Sequence, residues 1–224
     1  TSKKEREERG KNILIKNQKD NYVDWKQVLD VYYEVEKKND RSEYDSINFV
    51  ILSLYVLFPP RRLTDYSLMM VSNSIGYKVN KGLSKKYDKN NYYDPRKQLF
   101  IFNNYKTNKK VLRMDGEKEV SMYKQQVFKV PNDLAKVLNE YIKDFEIKSG
   151  QPLLDMSTDT LGDRVKKIFK DLIGKNVSIN ILRHSFISFI LSDRKTFNHT
   201  KLYEISQMMA HSQITQSEYY KINE

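Results

Sequence analysis

Ser178-Ile179-Asn180-Ile181-Leu182-Arg183-His184-Ser185-Phe186 is the stretch on which the reading of this chain turns. Ser178 is a good N-cap, since its hydroxyl can accept from a free backbone N–H of the first helical turn. Ile179, Leu182, Phe186, Phe189 and Ile190 then recur at helical spacing and form one apolar face. Arg183 falls at the margin of that face, where a charge needs a partner. Asn180 stands three residues before it, so the two are neighbours on the helix surface. On residue types alone, a structural ion pair explains Arg183 as well as any chemistry does.

The same periodicity extends outward. Leu134, Val137, Leu138, Tyr141, Ile142 and Phe145 form one stripe, and Leu161, Val165, Ile168, Phe169 and Leu172 another. Leu202, Ile205, Met208 and Met209 form the last; all of these stripes are expected to be core. Near the start, Asp24 is placed to cap a helix carrying Trp25, Val28, Leu29, Tyr32 and Val35. A more buried helix is expected from about Glu43 to Phe58, where Pro59-Pro60 stops it. Between these helical blocks the period changes. Residues 98–102 and 125–130 read as strands, joined through turn-rich residues 103–110 and an insertion over about 111–124 with an Asp115-Gly116 turn. Thr215-Gln216-Ser217-Glu218 has the form of a capping box, predicting a short helix that carries Tyr219 and Tyr220. The fold class expected is α+β, mostly helical, with a small antiparallel sheet.

Composition narrows the chemistry. The chain has 224 residues, no cysteine and three histidines. Disulfides, thiol nucleophiles and thiolate metal sites are therefore excluded. Residues 49–58 form the longest apolar run, about half of what a membrane span requires. Net charge is +11, and residues 80–110 hold nine Lys/Arg against Asp88 and Asp94, which is +7 of it. Such a concentration suits a polyanion, although a Lys- and Asn-rich coding bias produces solvated basic surfaces too. No phosphate-binding glycine loop, dinucleotide fingerprint, zinc-protease helix or serine-hydrolase elbow is present. No acidic cluster suited to two-metal phosphoryl transfer stands out, so any chemistry on nucleic acid is expected to need no metal or other cofactor.

Three further groups accompany Arg183. Arg61 and Arg62 follow the proline break, with Asp65 three residues beyond Arg62 and placed to orient it. A planar, permanently charged guanidinium is well suited to phosphate. Lys106, with Lys109 and Lys110 as alternatives, lies in the turn-rich segment between strands. Ala210-His211-Ser212 ends the last stripe, and Tyr220 follows His211 by nine residues. Each has an ordinary reading: a solvated arginine pair, a soluble hairpin tip, an exposed tyrosine among sixteen.

Taken in order, Arg62, Lys106, Asn180 with Arg183, His211 and Tyr220 resemble the signature of the tyrosine recombinase (phage integrase) family. Leu182-Arg183-His184-Ser185-Phe186 is similar to the family's Leu-Arg-His-Thr-Phe segment, and Ala210-His211-Ser212 to its Gly-His-Ser. The Pro-Pro-Arg-Arg form of the first box resembles recombinases of large DNA viruses, virophages and related mobile elements. Asn180 departs from the usual histidine, and asparagine can hydrogen-bond a phosphate but carries no proton near neutral pH. Arg61 competes with Arg62, and Tyr219 with Tyr220.

The resemblance implies the tyrosine recombinase catalytic-domain fold over residues 21–224, with residues 1–20 as an arm or linker. It implies double-stranded DNA as partner, no cofactor, no membrane, and tetramers assembled on DNA in the full-length protein. A separate N-terminal core-binding domain is expected to lie outside this chain. An intracellular setting follows, in the host nucleus or cytoplasm for a viral protein. Tyr220 would attack the scissile phosphate, Arg62 and Arg183 would clamp it, Lys106 would protonate the leaving oxygen, and His211 would assist. A type IB topoisomerase, or an inactive DNA-binding module, is the alternative reading of the same residues.

Overall fold

The computed structural model describes residues 19–73, 83–84, 89–106, 108, 111–115, 118–193 and 195–210. Seven helices and seven strands occur among them. In chain order these are α1 (Trp25–Glu36), α2 (Glu43–Val56), α3 (Leu63–Ser67), β1 (Met69–Val71), β2 (Leu83–Ser84), β3 (Asn91–Asp94) and β4 (Leu99–Phe102). There follow β5 (Val111–Asp115), β6 (Lys118–Lys124), β7 (Gln126–Lys129), α4 (Asn132–Asp144), α5 (Thr158–Ile173), α6 (Ile179–Ser192) and α7 (His199–Met208). The chain divides into two compact units. One comprises residues 1–62 and 162–224, the other residues 63–161.

The first unit is helical. Asp24 caps α1 as its sequence predicts, in a full capping box: its carboxylate accepts from Gln27 N–H, and the Gln27 side chain accepts from Asp24 N–H. Helix α2 is buried on every side from Asn48 to Tyr55, so it forms the centre of this unit. Trp25 of α1 meets Phe186 of α6 edge-on at 4.9 Å, a contact worth roughly 1 kcal/mol beyond the area it buries. Ser178 caps α6 through Ile181 N–H, as expected. Two residues of the expected core stripes are exceptions. Leu172 and Phe189 are 39% and 40% exposed, because each lies on the edge of its stripe rather than along the buried line.

The second unit is built on a four-stranded sheet of order β1-β3-β4-β7. The antiparallel pairing of β4 with β7 joins the two strands read from sequence. Within the insertion between them β5 pairs antiparallel with β6, while Gly116 of the expected turn lies outside the described residues. The sheet is mixed, however, since β1 runs parallel to β3 along its edge. One face carries Tyr92 and Ile101 with Met70, Leu99 and Val127. The opposite face is aromatic: Phe100 lies 5.5 Å from Tyr93, 5.7 Å from Phe102 and 6.1 Å from Tyr66. Helix α4 covers this face, where Tyr93 donates to the Asn139 side chain at 2.9 Å. Among the described residues no helix is long and apolar enough to cross a membrane.

Candidate active site

The first unit gathers three arginines at one helix end. Helix α2 stops at the Leu57 cap, and Pro59-Pro60 then hold the backbone extended into Arg61 and Arg62. The carbonyls at the C-terminal end of α7 carry the negative end of its dipole. All three guanidinium groups reach these carbonyls. Arg61 Nη1 donates to the Met208 carbonyl at 2.5 Å. Arg183, from α6, donates through Nη2 to the Met209 carbonyl at 3.3 Å and through Nη1 to the Pro60 carbonyl at 2.5 Å. Arg62 Nη1 lies 3.4 Å from the Ala210 carbonyl.

The three differ in burial. Arg61 is 0% exposed and Arg183 2% exposed, while Arg62 is half-buried. A buried guanidinium is tolerable only where its fixed fork of donors finds acceptors. Arg183 thus fastens the Pro60 turn to the end of α7, and Arg61 fastens the same turn one residue earlier on that helix. Arg62 holds its carbonyl by a long bond and keeps solvent access. The Pro60 and Met209 carbonyls are acceptors for the buried Arg183 charge.

Ala210 itself adopts a φ of +51°. It is the residue just beyond the cap of α7, a position that favours glycine because a Cβ there crowds the backbone. The resembling motif has glycine at this place. Ala210 holds the turn at a cost of about 1 kcal/mol, and its N–H is bonded to the Gln207 carbonyl at 3.1 Å. The backbone that leads directly into His211 is therefore fixed by Arg62, Arg183 and a tight helix-end turn together.

The remaining candidates are distributed as follows. Asn180 is exposed in the first turn of α6. Lys106 is exposed on the turn that follows β4, in the second unit. Asp65 is buried on α3, and its own carbonyl accepts from the Asn91 side chain at 2.9 Å. His211, Tyr220 and Tyr219, the alternatives Lys109 and Lys110, and the capping box at 215–218 lie outside the described residues. Among the described residues no group of three or more His, Asp or Glu side chains converges. The contact of Arg61 with the Met208 carbonyl has no sequence signal, because that acceptor is a backbone group 147 residues away.

His184, next to Arg183, is driven to the neutral form. Burial, and then the Arg183 charge, lower its pKa from 6.5 to about 4. Below pH 6.5 the unfolded chain takes up this proton before the folded one does. Stability from this group is therefore full above pH 6.5 and is lost as pH falls toward 4. Urea unfolding of His184→Gln at pH 7.5 and pH 4.5 isolates the effect. The native chain should lose about 2 kcal/mol more than the variant between these pH values; equal losses would contradict the burial of a neutral imidazole.

No protein-family model matches the chain, and no curated protein does. Solved structures match over most of it. A crystal structure of XerA recombinase is 14% identical with a TM-score of 0.54, covering 89% of this chain and 59% of that one. XerH site-specific recombinase bound to difH substrate, in a pre-cleavage complex, is 15% identical with a TM-score of 0.50, covering 89% of this chain and 50% of that one. A post-cleavage complex of XerH on palindromic difH substrate gives 15% identity and a TM-score of 0.51, covering 91% and 50%. The chain thus spans between half and three-fifths of those proteins. At such identities the likeness is one of fold, and the fold is that of a tyrosine recombinase catalytic domain.

Proposed function

We propose that this chain is the catalytic part of a site-specific recombinase that cuts and rejoins double-stranded DNA through a 3′-phosphotyrosyl link. One observation carries the reading. Arg62 and Arg183 converge on the carbonyls of Met209 and Ala210, immediately before His211. Two of the residues that the resemblance singles out, Arg62 and Arg183, are therefore brought to one end of one helix, within one compact unit.

The chemistry follows from what these groups can do. The Tyr220 oxygen attacks the scissile phosphorus, and the bond from phosphorus to the 5′-oxygen breaks. The phenol proton passes to His211 or solvent, and Lys106 supplies a proton to the departing 5′-oxygen. A phenol has a pKa near 10, so the site must stabilise the phosphorane rather than wait for phenolate. Arg62 and Arg183 do so by donating to the non-bridging oxygens, as pre-positioned positive charge. The covalent link conserves the phosphoester, and attack by a 5′-hydroxyl reverses the step without ATP or metal. Asn180 adds a neutral hydrogen bond where the family pattern has histidine. The basic 80–110 segment binds the DNA backbone with strong salt dependence, and strand exchange takes place in a tetramer on DNA.

Trapping tests this. The chain is incubated with supercoiled AT-rich plasmid in EDTA at low salt, then denatured with detergent. Protein that remains attached to DNA through denaturation supports the reading. Non-covalent, salt-reversible binding with no retained protein would instead support a DNA-binding module without strand cleavage.

A further inference from the structure

The turn that carries Lys106 is held by a network of asparagines centred on Asn91. Asn91 lies on β3 and is 0% exposed. Its side chain uses its full hydrogen-bonding capacity on backbone. Nδ2 donates to the carbonyls of Asp65 and Asn104, at 2.9 and 3.0 Å. Oδ1 accepts from the N–H groups of Asn103 and Asn104, both at 2.9 Å. Two carbonyls on one side and two N–H groups on the other admit only one orientation of the amide.

Further asparagines continue the network. Asn103 donates to the Asn90 carbonyl at 3.0 Å and accepts from the Gln125 side chain at 2.8 Å. Asn104 donates to the Lys89 carbonyl at 3.0 Å. On the far side of Lys106, the Asn108 side chain donates to the Asn103 carbonyl and accepts from Lys124 N–H. Tyr105, the residue before the lysine, is buried, and its hydroxyl donates to the Lys124 carbonyl at 3.1 Å. Backbone closes the turn, with Asn108 N–H on the Tyr105 carbonyl at 2.8 Å. Lys106 is thus an exposed side chain on a backbone tied down on both sides.

A lysine kept for solubility needs no such frame, since an exposed loop tip is free to move. A proton donor does need one, because misplacement by about 1 Å costs roughly a hundredfold in rate. We infer that Asn91 and Asn108 are positioning residues for Lys106, setting the place from which its ammonium reaches a leaving oxygen. The inference rests on the proposed strand cleavage, with Lys106 as the proton donor.

A change of leaving group tests it. Duplexes spanning a cleavage site mapped on the plasmid are made with either oxygen or sulfur bridging the 5′ side of the scissile phosphate. A thiolate departs without a proton, so a defect in proton donation disappears on the sulfur substrate. Lys106→Ala should cleave the oxygen duplex about 100-fold or more slowly and the sulfur duplex at close to the native rate. Asn91→Ala and Asn108→Ala should show the same selectivity, with a loss of about tenfold or more on oxygen. Asn108 is the milder change, since its bonds lie near the surface, and it keeps the test open if Asn91→Ala folds poorly. Equal losses on both substrates, or no loss, would overturn the positioning role while leaving Lys106 as donor. Failure of Lys106→Ala to show oxygen-selective loss would overturn the donor role and the positioning role together.

Discussion

Arg183→Ala is expected to lose both stability and strand cleavage. The side chain is 2% exposed and joins the Pro60 carbonyl to the Met209 carbonyl. Removing it leaves two carbonyls without these donors in a site that water does not readily refill. Each unsatisfied group costs about 1–3 kcal/mol, so a total near 3 kcal/mol is expected. For a chain of this size that lowers the melting temperature by about 6–12 °C. Cleavage should fall by about 10²–10³-fold, measured where the variant is still fully folded. Arg183→Lys should recover little of either property. Lysine has one nitrogen, whereas the two carbonyls are reached from separate ends of a planar fork. Calorimetry beside a cleavage assay measures both effects. A fully active Arg183→Ala would remove Arg183 from the proposed site.

Arg62→Ala should separate the two properties. Its guanidinium is half-buried, and the bond to the Ala210 carbonyl is long at 3.4 Å. Its loss should shift the melting temperature by no more than about 2–4 °C, yet slow cleavage by about 10²–10³-fold. Arg61→Ala should behave in the opposite way at the level of folding. Arg61 is fully buried, so truncation leaves a cavity and strips a donor from the Met208 carbonyl. The comparison decides between two arginines that sequence left in competition. A stable but inactive Arg61→Ala beside an active Arg62→Ala would reassign the phosphate clamp to Arg61.

Local signals in the sequence are legible because they act over a few residues. The Asp24 and Ser178 caps and the Pro59-Pro60 stop all depend on near neighbours. Leu182 and Ile190 are buried as their spacing implies, while Phe189 shows that the edge of a stripe is not fixed by period alone. Strand β1 is three residues long, too short for its alternation to register, and its parallel partner β3 begins twenty residues later. Charge at the margin of an apolar face marked Arg183 as needing a partner. That the Pro60 and Met209 carbonyls accept from it is not legible, because backbone acceptors leave no trace in residue type. The same reason hid the Asn91 network, in which most bonds run from an amide side chain to main chain. Asparagines 103, 104 and 108 looked like ordinary turn residues, as they are by composition.

The identity of the nucleophile tests the proposed chemistry most directly. Plasmid trapped as above in EDTA is digested, and the chain is mapped by mass spectrometry for a nucleotide adduct, with Tyr220→Phe and Tyr219→Phe alongside. The expected result is an adduct on Tyr220 that persists in Tyr219→Phe and vanishes in Tyr220→Phe. An adduct on Tyr219, or trapping that survives in Tyr220→Phe, would contradict the assignment of Tyr220 as the residue that attacks the phosphate.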